Sequence, residues 1–144
     1  MTETTPRQTV DAFITGFRHR DVAAALSAVA DDVAVTVYPL QLAGNGSAVI
    51  GTVLEEIVTA FPDLLITVRA VIDLGQTIVA EFKIEGTQAD EYRGVINQEK
   101  HLDIDSAWRF TVVDDQIVTI DAYWCQNQLL RRLAVKRTDQ TTII

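Results

Sequence analysis

Apolar positions near the start of the chain recur with the spacing of an α-helix. They are Val10, Phe13, Ile14 and Phe17. Residues 5–8 before them offer a threonine cap, a proline suited to the first helical position and a glutamine that completes a capping box. The same periodicity predicts a second helix from Asp21 to near Asp32, and a third helix over residues 50–61 that ends before Pro62.

β-branched and alternating apolar residues predict five strands between and after these helices. The first strand is predicted over residues 33–40, and the other four over 64–72, 77–85, 102–113 and 116–126. Residues 42–47 hold two glycines and an asparagine and are predicted to form a loop. A short helix is predicted over residues 128–136.

This order of elements predicts an α+β fold. Four successive strands favour an antiparallel sheet, with short turns at residues 73–75 and 114–115 and a longer polar connection over residues 87–100. The three N-terminal helices must then cover one face of this sheet. A length of 144 residues is typical of one domain, and neither a repeat nor a linker is visible. We therefore expect a single domain over residues 1–144, with loose termini at 1–5 and 138–144.

Alternation of side chains assigns the faces of the strands. The set predicted to face inward is apolar except for one serine. It includes Phe82, Ser106, Trp108, Ala122 and Trp124. Asp121 falls on the opposite, outward face of the last strand. We add Tyr38 from the first strand to the inward set, and predict that these aromatic side chains surround one apolar cavity.

Composition and charge narrow the choice of partners. The net charge is −8 and the sequence pI is about 4.6, and such a surface repels the phosphates of nucleic acids. No apolar run approaches the roughly 20 residues of a membrane span. The first residues lack the basic and apolar regions of a signal peptide. We therefore expect a cytoplasmic protein that binds neither nucleic acid nor membrane.

The residue types that hold common cofactors are scarce. The chain has one cysteine, Cys125, and two histidines, His19 and His101, so a metal-ligand cluster of the usual spacing is not expected. A glycine-rich phosphate loop and a G-x-S-x-G motif are both missing from the sequence. We therefore expect no metal and no cofactor.

Several short motifs together carry a resemblance to a known family. They are Ala60-Phe61-Pro62-Asp63-Leu64, Gly86-Thr87-Gln88, Tyr92-Arg93-Gly94-Val95, Trp108-Arg109-Phe110, Gln116-Ile117-Val118 and Leu129-Leu130-Arg131-Arg132-Leu133-Ala134. In their order and spacing, the chain resembles the SnoaL-like proteins, which include polyketide cyclases, and more distantly the ketosteroid isomerases. The resemblance covers nearly the whole chain. It implies the nuclear transport factor 2-like fold, in which a curved sheet forms a cone around a blind pocket. It also implies a homodimer through the back of the sheet.

The acid-base residues of these relatives do not recur here. By resemblance, Tyr38 stands where ketosteroid isomerases hold their general-base aspartate, and Phe13 and Ser106 stand where they hold the oxyanion-hole groups. SnoaL-like cyclases often carry a His-x-Asp pattern on the last strand, whereas Asp121 is one residue out of phase with it. We therefore expect neither dienolate chemistry nor a carboxylate acid-base mechanism of the family type.

Three residues remain as candidates for catalysis. The Tyr38 hydroxyl could donate a hydrogen bond to a substrate carbonyl, and Ser106 could be a second donor. Asp121 could be a general acid or base if a β-bulge turned it inward. The structural alternatives are a tyrosine at the core edge, a serine bonded to the backbone and a surface carboxylate. The residues predicted to bind substrate are Phe13, Phe17, Phe61, Phe82, Trp108, Ala122 and Trp124.

Two functional hypotheses follow from this set. In the first, the protein is a polyketide-type cyclase or isomerase of secondary metabolism, which holds a small apolar substrate in a reactive conformation in a deep pocket. In the second, the same pocket belongs to a non-catalytic module that binds a small molecule or a protein. Fold alone does not separate the two, so the groups that line the cavity must decide.

Overall fold

Helices and strands alternate in the first half of the chain, whereas strands dominate the second half. The computed structural model describes residues 4–134. The helices are α1 (Pro6–Arg18), α2 (Val22–Leu26), α3 (Ser47–Ala60) and α4 (Gln126–Arg132), and a 3-10 turn covers Tyr38–Leu40. The strands are β1 (Val29–Val37), β2 (Leu42–Asn45), β3 (Leu65–Leu74), β4 (Thr77–Thr87), β5 (His101–Val113) and β6 (Gln116–Trp124).

The predicted capping box begins α1. The Gln8 backbone N–H donates to the Thr5 hydroxyl at 3.1 Å, and the Thr5 N–H donates to Gln8 Oε1 at 2.9 Å. Where α1 crosses α2, a Cβ added at Gly16 would lie 2.4 Å from the backbone nitrogen of Ala25, so only glycine permits this approach. The close crossing fixes α1 against the sheet.

The six strands form one curved sheet in the order β2-β1-β6-β5-β4-β3. All neighbours are antiparallel except β1 and β6, which pair in parallel. The register shifts between Val68 and Ala70 in β3 and between Thr111 and Val112 in β5, and such bulges bend a sheet. The predicted α+β fold with a curved, mostly antiparallel sheet is confirmed. We call the space between its concave face and the helices the cone.

The bounds of several predicted elements differ in the structure, including the first strand, which covers Val29–Val37 and is followed by the 3-10 turn. The second helix ends at Leu26 because β1 begins at Val29, which pairs with Ile117 of β6. The predicted loop over residues 42–47 contains strand β2, because it pairs with β1 at the edge of the sheet. Helix α4 begins at Gln126, earlier than predicted. It ends at Arg132 and is followed by a turn at residues 133–134, where helix was predicted. Residues 135–136 of the predicted last helix, and the predicted tail at 138–144, lie outside the described residues.

Candidate functional site

Five aromatic side chains fill the part of the cone between α1 and the sheet, which we call the centre. They are Phe13, Phe17, Phe82, Trp108 and Phe110. All are essentially inaccessible to solvent, with ring centroids 5.3 Å apart for Phe13 and Phe110 and 5.4 Å apart for Phe82 and Trp108. Ala122 is equally buried and pairs with Trp108 across the sheet. The predicted deep pocket around these residues is therefore replaced by packed aromatic core, because the rings are large enough to occupy the space.

Ser106 belongs to this packed centre. Its hydroxyl donates to the backbone carbonyl of Phe82 at 2.8 Å and accepts from the indole Nε1 of Trp108 at 3.0 Å. A buried indole N–H requires such a partner. The Ser106 hydroxyl therefore stabilises the packed centre, since its proton is already donated to the Phe82 carbonyl. Its predicted role as a hydrogen-bond donor to substrate stays a prediction.

Tyr38 lies outside the cone, and its predicted place in the cavity is wrong. Alternation along β1 turns Val35 and Val37 inward, so the residue that follows Val37 points to the other face. The Tyr38 side chain is 48% exposed and stacks on Tyr123, with ring centroids 4.5 Å apart and planes 8° from parallel.

Asp121 also lies on the outer face. It is directly opposite Arg109 in the register of β5 and β6, and the Arg109 Nη2 lies 3.1 Å from its Oδ2. Hydrogen bonding to this carboxylate raises the pKa of Arg109 above its usual value. The bulge that would turn Asp121 inward is not found at this position. The outward assignment from alternation is confirmed, and the proposed acid-base role inside the cone has no geometric support.

A small cavity remains at the other end of the cone, beneath α4, which we call the mouth. Its volume is about 10 Å³, close to what a single water molecule requires. Phe61, Tyr92, Trp124 and Leu129 form its wall together with four aliphatic side chains of α3, β4 and β5. Its surface is apolar, which suits an apolar ligand. Of the residues predicted to bind substrate, Phe61 and Trp124 are brought together here.

Tyr92 is the titratable residue of this wall, and it was not singled out from the sequence. Its ring packs against Phe61 with centroids 6.1 Å apart, whereas its hydroxyl adds nothing to the cavity surface. Burial raises the pKa of Tyr92 to about 12, although the nearby Arg93 opposes the shift. The phenol is therefore protonated at neutral pH and can only donate or accept a hydrogen bond.

Gln88 holds the loop that carries Tyr92. The side chain is 1% exposed, and its Nε2 donates to the backbone carbonyls of Asp90 at 3.1 Å and of Val95 at 3.0 Å. Backbone bonds between Tyr92 and Val95 close the same loop. The Gln88 Oε1 is buried and has no hydrogen-bond partner among residues 4–134, so the loop carries an unused acceptor.

Helix α4 covers the mouth. Leu129 and Leu130 are its buried side chains, Leu133 at its C-cap is also buried, and Leu129 reaches the cavity. Just before the helix, the Trp124 indole Nε1 donates to Gln126 Oε1 at 2.9 Å. A helix of seven residues is too short to be stable alone, so packing of its leucines holds it in place.

The outer face of the sheet carries charges of both signs. Lys83 pairs with Asp103 at 3.1 Å, and Arg69 with Asp105 at 3.6 Å. A groove of about 580 Å³ lies on this face beside the end of β6, and its wall includes Arg69, Tyr123 and Trp124. Trp124 thus contributes to the wall of the outer groove as well as to that of the inner cavity.

Two further properties bear on cofactors and membranes. Among residues 4–134, no group of three or more histidine, cysteine, aspartate or glutamate side chains is placed to hold a metal ion. The helices of this part of the chain are all too short or too polar to cross a membrane.

Comparison with known proteins gives a matching family profile and several similar solved structures. A profile described as the SnoaL-like domain matches residues 10–120. The structure is similar to that of AclR, a proposed hydroxylase from Streptomyces galilaeus, with a TM-score of 0.79, 16% identity and coverage of 96% of this chain and 91% of that one. IdmH, a proposed polyketide cyclase from Streptomyces antibioticus, is also similar, with a TM-score of 0.78, 18% identity and coverage of 92% and 100%. A Catenulispora acidiphila protein with a ketosteroid isomerase-like fold, in complex with trimethylamine, has a TM-score of 0.74, 14% identity and coverage of 92% and 96%. No curated protein matches the chain.

Proposed function

Since the chain belongs to the SnoaL-like family, we propose that it is a cofactor-independent cyclase or isomerase of the polyketide type. Its substrate is a small, mainly apolar molecule that binds at the mouth of the cone. The proposed setting is secondary metabolism in the cytoplasm. The observation that supports this proposal is the apolar cavity beneath α4. Side-chain packing is incomplete there, where a loop, a strand end and a short helix meet.

Catalysis in such a site depends on the shape of the cavity wall and not on acid or base groups. The cavity surface offers no polar group, and both Tyr38 and Asp121 lie on the outer face. An enclosed apolar wall can still hold a flexible chain with its reacting carbons in contact, which removes much of the entropic part of the barrier to ring closure. We therefore propose conformational templating of a substrate that is already reactive, such as an enolised polyketone.

The substrate must open the mouth in order to bind. A volume of about 10 Å³ holds none of the molecules proposed, so Leu129 and α4 have to move away from the sheet. Packing of three leucines is the main contact that opposes this movement. We propose that α4 opens and recloses over the bound molecule, because its own helical stability is small.

The experiment that tests the proposal measures binding and turnover on the same samples. Nile red, a neutral apolar dye, reports binding by its fluorescence, and a linear poly-β-ketone reports turnover when a carbon–carbon bond closes the ring. Leu129→Trp fills the cavity and should abolish both. Leu130→Met keeps the volume of a buried side chain of α4 that does not line the cavity, and it serves as the control. Dye binding that is unaffected by Leu129→Trp would contradict the proposed site.

A non-catalytic binding module is the second candidate. The packed centre and the outward positions of Tyr38 and Asp121 favour it, since they leave the cone without an acid or a base at its surface. The same experiment separates the two functions. Dye binding at the mouth without ring closure of any poly-β-ketone supports binding alone.

We also propose that a second copy of the chain covers the outer face. This face carries both signs of charge and a half-exposed pair of stacked tyrosines, and a two-fold interface requires a surface that complements itself. Sedimentation measurements should give the mass of a dimer, and Tyr123→Glu should give a monomer. The exposed Arg7→Glu on α1 is the control, and a wild-type monomer at micromolar concentration would refute the proposal.

A further inference from the structure

The described part of the chain ends beside an acidic groove. Its last residue, Ala134, lies two residues after α4, and its carbonyl accepts a hydrogen bond from the Gln98 Nε2 at 3.1 Å. The next three residues of the sequence, 135–137, lie outside the described residues and include Lys136 and Arg137. We propose that these three residues, which we call the strap, bind in the groove and so hold α4 over the mouth. The effect on the mouth rests on the proposed function, whereas binding of the strap does not.

The groove lies where strands end and loops begin, and we call it the rim groove. Its volume is about 430 Å³. Thr87, the last residue of β4, is the one strand residue in its wall, and the other wall residues precede β3, follow β4 or precede β5. The rim groove therefore lies at the ends of the strands and not on the outer face that we assign to a second copy of the chain.

The rim groove carries two negative charges that await a partner. Asp63 and Glu99 are both in its wall, and within residues 4–134 neither forms an ion pair with a lysine, arginine or histidine side chain. The Asp63 Oδ1 accepts the backbone N–H of Thr87 at 2.8 Å, which fixes this carboxylate in place. Lys136 and Arg137 match the two carboxylates in number and are opposite in sign.

The place where the chain leaves α4 brings the strap to these carboxylates. Gln98, which holds the carbonyl of Ala134, directly precedes Glu99 in the sequence. An extended chain advances about 3.3–3.6 Å per residue, so the backbone of Arg137 lies within about 11 Å of that of Ala134. So short a tether gives the cations an effective concentration in about the millimolar range at the carboxylates, and exposed ion pairs that are weak by themselves can then form.

Binding of the strap opposes the opening of α4. Leu129 of α4 is part of the cavity wall, and we propose that the helix moves away from the sheet when ligand enters. The strap joins the C-terminal end of this helix to the rim groove, so the helix cannot move far unless the strap leaves the groove. Lys136 and Arg137 are therefore positioning residues, which act on the ligand through α4.

Cleavage of the full chain by trypsin tests whether the strap is bound. Trypsin cleaves after Arg137 when this residue is outside the groove, and mass spectrometry identifies the released residues 138–144. Glu99→Gln removes one carboxylate and keeps the size of the side chain, so release should become about threefold faster, which is within the range of one exposed ion pair. Glu55→Gln makes the same change on α3, outside the rim groove, and should leave the rate of release unchanged.

Stopped-flow mixing with Nile red tests the effect on the mouth. Glu99→Gln should raise the association and dissociation rates of the dye by the same factor of about three, because the strap closes α4 over free and occupied cavity alike. The dissociation constant should stay within about twofold of wild type. High salt should raise both rates in wild type more than in Glu99→Gln, since salt screens exposed ion pairs.

Reversal of the charges separates an ion pair from a structural role of Glu99. Glu99→Lys should raise the dye rates further, and so should Lys136→Glu with Arg137→Glu. All three changes together should bring the rates back toward those of wild type, because attraction between strap and groove is then restored. Rates that simply add up in the combined variant would overturn the strap.

The outcomes distinguish this inference from the proposed function. Unchanged release of residues 138–144 in Glu99→Gln would overturn binding of the strap, and so would release that slows as protein concentration rises, which would assign the rim groove to a second copy. Faster release with unchanged dye rates would overturn the hold on α4 and keep the mouth as a binding site. Failure of the dye to bind any variant would overturn the site at the mouth, whereas release would still decide whether the rim groove binds the strap.

Discussion

The centre and the mouth of the cone are built from the same kinds of residue, but they differ in how completely these residues pack. At the centre, long strands and a 13-residue helix bring aromatic rings to within 5.3–6.4 Å of one another. At the mouth, a loop, a strand end and a seven-residue helix meet, and they leave a cavity. Regular elements hold side chains at repeating distances, whereas irregular ones do not. The mouth is therefore the place where we propose that a ligand enters, and four variants test this comparison.

Trp108→Ala should give the largest effect. Removal of a completely buried indole leaves a large void among rings that α1 and the sheet hold in place. We expect a loss of about 3–5 kcal/mol in the free energy of unfolding, measured by urea denaturation. A loss below about 1 kcal/mol would show that the side chains of the centre rearrange to fill the void, as we expect for those of the mouth.

Leu129→Ala should have a smaller effect on stability and a positive one on binding. The side chain adjoins an existing cavity and belongs to a short helix that can shift, so the loss should lie near the lower limit of about 2 kcal/mol for such substitutions. Nile red should bind more tightly to the enlarged cavity. Equal losses for Trp108→Ala and Leu129→Ala would remove the distinction between centre and mouth.

The phenol of Tyr92 should make the stability of the mouth depend on alkaline pH. Its pKa of about 12 in the folded protein exceeds the usual value of 10.0, so its contribution is complete below pH 10 and is lost as the pH rises through 12. By urea denaturation, the free energy of unfolding of wild type should fall relative to that of Tyr92→Phe over this range, by about 1 kcal/mol at pH 11. A constant difference between the two proteins would contradict the burial of the phenol.

Asp121→Asn should produce the smallest effect. Its partner Arg109 is well exposed, and pairs of this kind contribute less than about 1 kcal/mol, with further weakening by salt. Thermal denaturation at low and high salt measures the change. A large loss of ring-closing activity in a variant that stays folded would return Asp121 to the list of catalytic candidates.

Alternation in the long strands was sufficient to predict which of their side chains meet at the centre, but not that they pack without a cavity. Ser106, Trp108 and Phe110 face inward and Asp121 faces outward, as the two-residue period requires. Tyr38 was misplaced because the same period, counted from Val37, turns it outward. Helical periodicity overestimated α2, since pairing of Val29 with Ile117 is a long-range contact that local sequence does not encode.

The candidate site was harder to predict than the fold. Tyr92 and Gln88 lie in a connection without periodicity, and the only signal for them was their place in motifs shared with the SnoaL-like proteins. The size of the cavity could not be predicted either. The volume left inside the cone depends on whether rings such as those of Phe82 and Trp108 stack on each other or stand apart. In the structure they stack, with 22° between their planes.

The parallel pairing of β1 with β6 has a consequence for synthesis of the chain. Val37, from the first third of the sequence, pairs with Ala122 near its end. The sheet therefore cannot be completed on the ribosome until β6 has emerged. Until then, the apolar sides of α1 and α3 remain exposed to solvent. Correct folding therefore depends on how fast β6 pairs with β1. A pause in translation before β6 would leave the nascent chain exposed to aggregation and to chaperones.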